Sequence, residues 1–306
     1  MKHLLQISDL NRIEIERLLT RAQDFEAEKK SLNTELVGAL LFYENSTRTR
    51  VSFELAAHML QLKTIHLDIN TSSTNKGESM FDTVQTLGAM GCLVFVIRLE
   101  ESGSVKKMAD LLGNQYHFIN AGDGTHAHPT QGLLDMLTIF QYKHHFDTLK
   151  VGILGDSIHS RVAKSDIAAL QILGCQDIRL IGPNDWLLSP MPHVSCHQDE
   201  KALEDLDVII TLRVQKERMK VLDDAFLKNY IQHYQLTPQR LKRAKPDAIV
   251  MHPGPMNRGI EITSEVADGP QSAILKQVRN GVLVRMAVWE AINHQNCLIK
   301  KSQKNK

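Results

Sequence analysis

The chain has 306 residues, with 36 basic and 35 acidic side chains and a formal net charge of +1. This near balance excludes the classes of protein that hold nucleic acid or membrane surfaces through a general basic surplus. Hydrophobic residues make up 42% of the chain, which suits a globular protein long enough for two domains. We therefore expect no nucleic-acid or membrane partner, and we expect local positive clusters to bind small anions.

The expected cellular compartment is inferred from three kinds of sequence feature: membrane spans, signal peptides and cysteine spacing. The apolar runs are too short to span a bilayer, and the first six residues have no apolar core of signal-peptide length. The four cysteines show no CxxC spacing. We expect unpaired thiols in a reducing cytoplasm.

Helices and strands alternate from one end of the chain to the other. Ser8 is the predicted N-cap of a first helix that continues to residue 30. The first block then has predicted strands at 36–43, 64–67, 92–98 and 117–120, and predicted helices at 47–60, 78–90, 104–112 and 130–142. The second block has strands at 151–155, 178–181, 208–211 and 249–251, and helices at 161–173, 225–234, 238–244 and 270–293. Residues 300–306 read as a frayed, solvated end.

This alternation, without hairpin signals, predicts an α/β fold of two doubly wound parallel-sheet domains. We place one domain at 1–131 together with 281–306, and the other at 132–280. Ligands of such sheets bind outside the carboxyl ends of the strands. The unusual polar clusters fall at those ends, so we expect one active site in the cleft between the two domains.

The densest cluster is Ser46-Thr47-Arg48-Thr49-Arg50, where a predicted strand gives way to a helix. The first N–H groups of a helix lack internal partners and attract anions. Hydroxyl groups and guanidinium groups at the same place add donors that match phosphate oxygens. The alternative is an ordinary serine N-cap followed by two solvated arginines.

Further candidates follow the next strands of the first block. Arg98 ends the third strand, and the loop after the fourth contains His128, Thr130 and Gln131 at the start of a helix. His128 and Gln131 are three residues apart, so both can face the same cleft. A metal site made by Asp123, His126 and His128 is the competing interpretation. The polar loop at 70–77 offers Lys76 for an anion, or is simply a surface loop.

The second block carries its own polar groups. Its first strand ends in a GxxG pattern rather than GxGxxG, and no acidic residue ends the following strand, so a nicotinamide cofactor is not expected. Arg161 begins the next helix, and Arg213 and Gln215 share one loop. His252-Pro253-Gly254-Pro255 forms a rigid turn after the last strand. Without a P-loop or an evident nucleophile–base pair, the chemistry should depend on positioning and charge stabilisation.

Taken in order along the chain, these motifs resemble the aspartate/ornithine carbamoyltransferase family. The segments that carry the resemblance are 46–50, 128–131, 213–218 and 252–255. Within the family they are similar to the aspartate branch, since the ornithine branch would show His-Cys-Leu-Pro near 252 and Ser-Met-Gly near 213. The resemblance implies transfer of the carbamoyl group of carbamoyl phosphate to L-aspartate, an early step of pyrimidine synthesis, without a cofactor or metal.

The resemblance also implies residue roles. The first domain would bind carbamoyl phosphate and the second aspartate. The catalytic residues would be Arg48, Thr49, Lys76, Arg98 and His128. Carbamoyl phosphate would contact Ser46, Thr47, Arg48, Thr49, Arg98, His128, Gln131, Gly254 and Pro255, with the backbone at Pro253. Aspartate would contact Lys76, Arg161, Arg213 and Gln215.

Assembly is implied in the same way. Ser72 and Lys76 would enter the site of a neighbouring subunit, giving a homotrimer with shared active sites. A larger assembly with a regulatory or dihydroorotase-like chain stays open. So do two rival functions, namely a non-catalytic subunit that keeps the fold and a carbamoyltransferase for another amine.

Overall fold

The computed structural model describes residues 1–28, 31–32, 34–67, 77–215 and 224–304, with side chains as far as residue 298. The predicted site residues Ser72 and Lys76 lie outside these ranges, as do residues 216–218 of the motif that begins at Arg213. The chain divides into two compact units. Unit 1 is Met1–Leu134 with Arg279–Lys306, and unit 2 is Asp135–Val278.

The described elements follow the predicted order, with an unpredicted strand at Val194–His197 and an unpredicted short helix at Ser264–Ala267. The strands are β1 (Val37–Phe42), β2 (Lys63–Leu67), β3 (Val94–Leu99), β4 (His117–Asp123), β5 (Lys150–Leu154), β6 (Asp177–Ile181), β7 (Val194–His197), β8 (Val208–Thr211) and β9 (Ile249–Met251). The helices are α1 (Arg12–Ala27), α2 (Thr47–Met59), α3 (Met80–Ala89), α4 (Ser104–Leu112), α5 (Pro129–Lys143), α6 (Arg161–Ile172), α7 (Asp224–Tyr234), α8 (Pro238–Leu241), α9 (Ser264–Ala267) and α10 (Ile274–Lys304).

Each unit contains one sheet in which every described pairing between named strands is parallel. The sheet of unit 1 has the order β2-β1-β3-β4, and that of unit 2 has the order β7-β6-β5-β8-β9. The prediction of two parallel-sheet α/β domains is confirmed. In both sheets the chain starts at an inner strand, builds to one side and then crosses to the other.

These strand orders define one reversal point in each sheet, which is the place between two neighbouring strands where the chain stops adding strands on one side and begins to add them on the other. In unit 1 it lies between β1 and β3, and in unit 2 between β5 and β8. The loops after two such strands leave in opposite directions, which opens a crevice at their carboxyl ends where doubly wound sheets bind ligands. The geometry therefore marks one place in each unit before any side chain is considered.

The core of unit 1 is closed by the far end of the chain. Trp289 of α10 is fully buried, and its ring lies over Gly38 of β1 so closely that a Cβ at that glycine would come within 2.4 Å of it. Phe53 of α2 meets the same tryptophan edge-on, with ring centroids 6.4 Å apart. The position of α2 relative to the sheet thus depends on a residue more than 200 positions later.

The predicted boundaries of the first and last helices were wrong. Ser8 lies in a short 3-10 helix, and Asn11 caps α1 instead, because its side chain accepts from the N–H of Glu14 while the Glu14 carboxylate accepts from the N–H of Asn11. The last helix begins at Ile274 rather than 270, since residues 271 and 273 hydrogen-bond to Val250 of β9. It also continues to Lys304, through residues predicted to be frayed.

The amino terminus adds to the sheet of unit 1. Leu4 bridges to Ile119 of β4, donating to Phe118 and accepting from Asn120. His3 is half-buried beside it, and its Nδ1 accepts from the N–H of Phe118 at 3.2 Å. Burial, with the nearby Lys2 and His117, lowers the pKa of His3 to about 4.

We expect His3→Asn to make the protein less sensitive to acid. The folded chain keeps His3 neutral, whereas the unfolded chain takes up a proton below its ordinary pKa of about 6.5. Stability contributed by the neutral ring is therefore present above about pH 6.5 and is lost as the pH falls towards 4. Asparagine keeps an acceptor near the Nδ1 position and does not titrate.

The measurement is Tm against pH for the wild type, His3→Asn and the exposed control His58→Asn. We expect a shallower decline between pH 6.5 and 4 only for His3→Asn. Parallel curves for all three proteins would mean that His3 does not carry this proton linkage.

Candidate active site

The segment after β1 shapes the first half of the site. Ser46 stands at the N-cap of α2 in an extended conformation, and its carbonyl accepts from the N–H of Arg50 at 3.1 Å. Among the described contacts its hydroxyl makes no capping hydrogen bond, unlike the side chain of Ser79 at the start of α3. Thr47 and Arg48 are exposed and Thr49 is buried. This start of α2 differs from the ordinary serine cap that was the alternative interpretation.

The two arginines of this motif differ in their surroundings. Arg50 approaches Nε2 of His66 on β2 at 3.2 Å and the carboxylate of Glu54 at 3.8 Å. Its guanidinium is therefore turned along α2 towards the edge of the sheet. Arg48 has the more exposed side chain and sits in the first turn of the helix, where its charge adds to the positive end of the helix dipole.

Arg98 joins the segment that follows β1 to strand β4. It pairs with Phe42 in the parallel register, and the N–H of Tyr43 donates to its carbonyl. Its side chain is buried, with Nη2 donating to Glu44 Oε1 at 2.8 Å and Nη1 to the carbonyl of Ala121 at 3.2 Å. These contacts fix a positive charge at the reversal point of the unit 1 sheet.

The loop after β4 is organised by a buried carboxylate. Asp123 accepts from the N–H groups of Gly103 and Ala127 and from the amide of Asn120, at 2.8–3.1 Å. These donors commit Asp123 to shaping the loop, which weakens the metal interpretation based on it. Within the described part of the chain, no group of three or more His, Cys, Asp or Glu residues is placed to hold a metal ion.

His128 and Gln131 lie where α5 begins, and both are buried. The carbonyl of His128 accepts from the N–H groups of Gln131 and Gly132, at 2.9 and 3.2 Å. The helix start thus fixes the backbone of both residues, while Asp123 holds the loop before them. Because both side chains are buried on a fixed backbone, they lose little conformational freedom when they bind a ligand.

Arg285 of α10 is a supporting residue that the sequence analysis missed. It is buried, donates to Thr130 Oγ1 at 3.2 Å and to the carbonyl of Gly281 at 2.9 Å, and lies over the ring of Phe53 at 4.9 Å. It therefore connects α2 with the start of α5. An arginine in the otherwise apolar run from 282 to 289 was the available signal.

In unit 2, the segment after β5 leads to Arg161. Gly155 has φ +117, and a Cβ there would lie 3.2 Å from the hydroxyl of Tyr230, so the turn favours glycine. Asp156 is buried and accepts from both the N–H and the ring of His159. Arg161 then opens α6 as a buried residue, in a helix capped by Ser160.

The loop after β8 carries Arg213 and Gln215, which are both partly buried. Between them, the N–H of Val214 donates to Glu261 Oε2 at 3.5 Å, and its carbonyl accepts from the side chain of Asn257 at 3.1 Å. β5 and β8 are neighbours, so Arg161 and Arg213 follow the two strands at the reversal point of the second sheet.

Glu261 also holds the turn that follows β9. It is fully buried, and one oxygen accepts from the ring of His252 at 3.0 Å. Nδ1 of that ring accepts from the N–H of Gly254 at 2.8 Å, so the proton of the neutral ring is on Nε2, facing Glu261. One carboxylate therefore fixes both the Arg213 loop and the turn at Gly254 and Pro255. Nothing in the local sequence pattern distinguished Glu261.

Most predicted site residues are thus found at two places, one in each unit. Unit 1 has Ser46, Thr47, Arg48, Thr49, Arg98, His128 and Gln131, and unit 2 has Arg161, Arg213, Gln215, Gly254 and Pro255. Lys76 lies outside the described residues. Both places are rich in hydrogen-bond donors and cationic groups, which suits anionic ligands. The four cysteines are free thiols, and none of the described helices is long and apolar enough to cross a membrane.

Comparison with known proteins gives a consistent result. A family profile described as "Aspartate/ornithine carbamoyltransferase, carbamoyl-P binding domain" matches residues 2–141, and one described as "Aspartate/ornithine carbamoyltransferase, Asp/Orn binding domain" matches residues 147–292. A protein of Legionella pneumophila (strain Corby) named aspartate carbamoyltransferase catalytic subunit is 50% identical over 295 residues, which are 95% of this chain and 99% of that protein.

Solved structures match over nearly the same length. An aspartate transcarbamoylase from Trypanosoma cruzi, in complex with carbamoyl aspartate and phosphate, has a TM-score of 0.84 at 28% identity, covering 94% of each chain. An ornithine carbamoyltransferase from Pyrococcus furiosus has a TM-score of 0.85 at 26% identity, covering 95% of this chain and 97% of that one. The backbone therefore does not distinguish the aspartate branch from the ornithine branch. That distinction must come from the side chains of the site.

Proposed function

The chain belongs to the aspartate/ornithine carbamoyltransferase family, and we propose that it transfers the carbamoyl group of carbamoyl phosphate to the amine of L-aspartate. The products are N-carbamoyl-L-aspartate and phosphate. The observation that carries this proposal is the position of Arg98 and Arg161: each lies at the reversal point of its sheet, where such folds bind ligands. Two anionic substrates need two such places.

Carbamoyl phosphate is assigned to unit 1. Its phosphate would accept from the first N–H groups of α2, the hydroxyls of Ser46 and Thr47, and the guanidinium of Arg48. The carbamoyl oxygen would face Thr49, Arg98 and His128, and Gln131 would orient the amide together with the backbone at Pro253–Pro255. The Glu44 and Ala121 contacts of Arg98 support this assignment, because they hold its charge in place before substrate arrives.

Aspartate is assigned to unit 2. Its two carboxylates would accept from Arg161, Arg213 and Gln215, with Lys76 of a neighbouring subunit adding a further donor. Burial of Arg161 and fixation of the Arg213 loop by Glu261 support a rigid anion site. Ornithine would bring a side-chain ammonium towards these arginines, and a buried ammonium without a partner is strongly disfavoured.

The mechanism follows from these placements. The neutral amine of aspartate attacks the carbamoyl carbon, and negative charge builds on the carbamoyl oxygen. Donors already directed at that oxygen stabilise the transition state more than the ground state. The C–O bond to phosphate then breaks, and phosphate leaves at the positive end of α2. The departing phosphate takes the proton lost by the amine, so no side-chain base is required.

The direct experiment is an assay of purified protein with carbamoyl phosphate and aspartate, ornithine, putrescine or N-acetylornithine at equal concentrations. We expect carbamoylation of aspartate to dominate. Faster turnover of another amine would overturn the substrate assignment while leaving the carbamoyltransferase class in place. No turnover of any amine by a folded protein would favour a non-catalytic subunit.

The same proposal includes a homotrimer with shared sites in the cytoplasm, acting in pyrimidine synthesis. Support for self-association comes from α2, where Val51, Leu55 and Met59 form an exposed stripe at intervals of one helical turn. Ile65 of the edge strand β2 is exposed as well. Apolar side chains gathered at one edge of a sheet are typical of a surface covered by another subunit.

Mixing two inactive variants tests the shared site. Arg48→Ala and Lys76→Ala chains should each be inactive alone. After dissociation and joint reassociation, an intact site needs Arg48 from one chain and Lys76 from its neighbour, so about one quarter of the sites should be restored if chains combine at random. Hybrids that form without regaining activity would place Lys76 in its own chain's site.

A further inference from the structure

Two fully buried carboxyl groups meet inside unit 2, outside the residues assigned to substrate. Asp135 belongs to α5 and Asp166 to α6, both side chains are fully buried, and the Asp166 carboxyl lies near enough to Asp135 for the charge of Asp135 to raise its pKa. Among the described residues, no donor group hydrogen-bonds to either oxygen of Asp166. A carboxyl–carboxyl hydrogen bond exists only when one partner is protonated. An ionised Asp166 in this place would have no compensating donor, which is strongly unfavourable.

Asp135 is connected by hydrogen bonds to the turn at 252–255, which belongs to the candidate active site. Asp135 Oδ1 accepts from Nε2 of Gln277 at 2.6 Å, and Oε1 of Gln277 accepts from the N–H of His252 at 2.9 Å. His252 is the first residue of the turn at 252–255, whose other end is held by Glu261 through the His252 ring. A chain of hydrogen bonds therefore runs from Asp135, the neighbour of Asp166, to the backbone of this turn.

We propose that Asp135 and Asp166 share a single proton, and that this pair, acting through Gln277, positions the backbone of the 252–255 turn for the carbamoyl amide. The second half of this statement rests on the proposed function; the first does not. Asp166 donates its O–H to Asp135, and Asp135 remains ionised, with Gln277 as a further donor. Both are positioning residues, since neither touches substrate.

The electrostatic surroundings agree with a retained proton. Burial, and the charge of Asp135 facing it from α5, raise the pKa of Asp166 well above its ordinary value. On the same helix as Asp166, burial lowers the pKa of Lys164, and the charge of Asp156, just after β5, acts in the opposite direction. The folded chain therefore keeps a proton that the unfolded chain releases above about pH 4.

The sign of the resulting pH dependence is definite. Unfolding releases one proton from Asp166 at any pH between its unfolded and folded pKa values, so raising the pH favours unfolding through that window. Asp166→Asn keeps a donor towards Asp135 and cannot ionise. Relative to this variant, the unfolding equilibrium constant of the wild type should rise about tenfold per pH unit.

The first measurement is denaturant unfolding between pH 5 and pH 8 for the wild type, Asp166→Asn and the exposed control Asp147→Asn. We expect Asp166→Asn to gain stability relative to the wild type as the pH rises, and Asp147→Asn to follow the wild type. Equal pH slopes for the wild type and Asp166→Asn would overturn the shared proton. This result does not depend on catalytic activity.

The second measurement concerns positioning. Asp166→Leu removes the donor to Asp135. If this variant does not fold, Gln277→Met is used instead, because it removes the hydrogen-bonded link to His252. We expect the KM for carbamoyl phosphate to rise several-fold while the KM for aspartate changes little, with Asp166→Asn restoring the wild-type value. A loss confined to kcat, or no change, would overturn the positioning role. An inactive wild type would refute the proposed function but leave the shared proton standing.

Discussion

Replacing Arg48 by alanine should lower turnover by several orders of magnitude while the fold stays intact. The exposed Arg48 lies in the first turn of α2. In the proposed assignment its guanidinium binds the leaving phosphate when the bond to the carbamoyl carbon breaks. Loss of a charged two-point contact of this kind costs about 3–5 kcal/mol of transition-state stabilisation. Burial of its neighbours is unaffected, because the side chain does not contribute to the core of unit 1.

Arg50, two residues after Arg48, is a matched control for the Arg48 variant. Arg50 is also in the first turn of α2, but its guanidinium faces His66 and Glu54. Arg50→Ala should therefore lose much less activity than Arg48→Ala. The measurement is kcat and KM for both substrates, with circular dichroism as the test of folding. Equal losses for the two variants would remove the basis for assigning the phosphate to Arg48.

The second large effect is expected at Arg213. Arg213→Ala should raise the KM for aspartate steeply and leave carbamoyl phosphate binding nearly unchanged, because the arginine belongs to the loop after β8 in unit 2. Charge-assisted hydrogen bonds to a carboxylate contribute about 1.5–3 kcal/mol, which corresponds to about 10- to 150-fold in kcat/KM for aspartate.

Arg243→Ala is the control for charge alone. Arg243 is in the same unit, but it pairs with Glu200 and Glu204 at the surface. Its removal should leave both KM values close to those of the wild type. If Arg213→Ala instead weakens the binding of carbamoyl phosphate, or if Arg243→Ala raises the KM for aspartate equally, the aspartate assignment fails. The effect would then come from the overall positive charge of the unit and not from a specific contact.

Sequence reasoning succeeded where the signal was local. Hydrophobic periodicity gave the alternation of strands and helices, and the run from Ser46 to Arg50 was identifiable because its donors are adjacent in the chain. The first helix shows the limit of a single local cue: Ser8 is a good capping residue, but Asn11 is followed three residues later by Glu14 and forms the reciprocal pair.

The rest could not be predicted because it depends on strand order. No pattern in the chain shows that β3 lies beside β1, and this adjacency is what brings Arg98 to Glu44 and the segment before α2. Glu261 and Arg285 were missed for a similar reason, since their partners are contributed by other elements. Sequence patterns therefore identify the residues assigned to substrate more readily than the residues that support them.

The contact between Trp289 and Gly38 has a consequence for biosynthesis. Unit 2 is one continuous stretch, whereas unit 1 needs residues from both ends of the chain. As the polypeptide leaves the ribosome, residues 1–134 cannot complete their core until the indole of Trp289 has emerged, about 155 residues after residue 134. Domains usually mature in the order in which they are translated. Here we expect the later-made unit to reach its native packing first, and the earlier one to wait for the last helix.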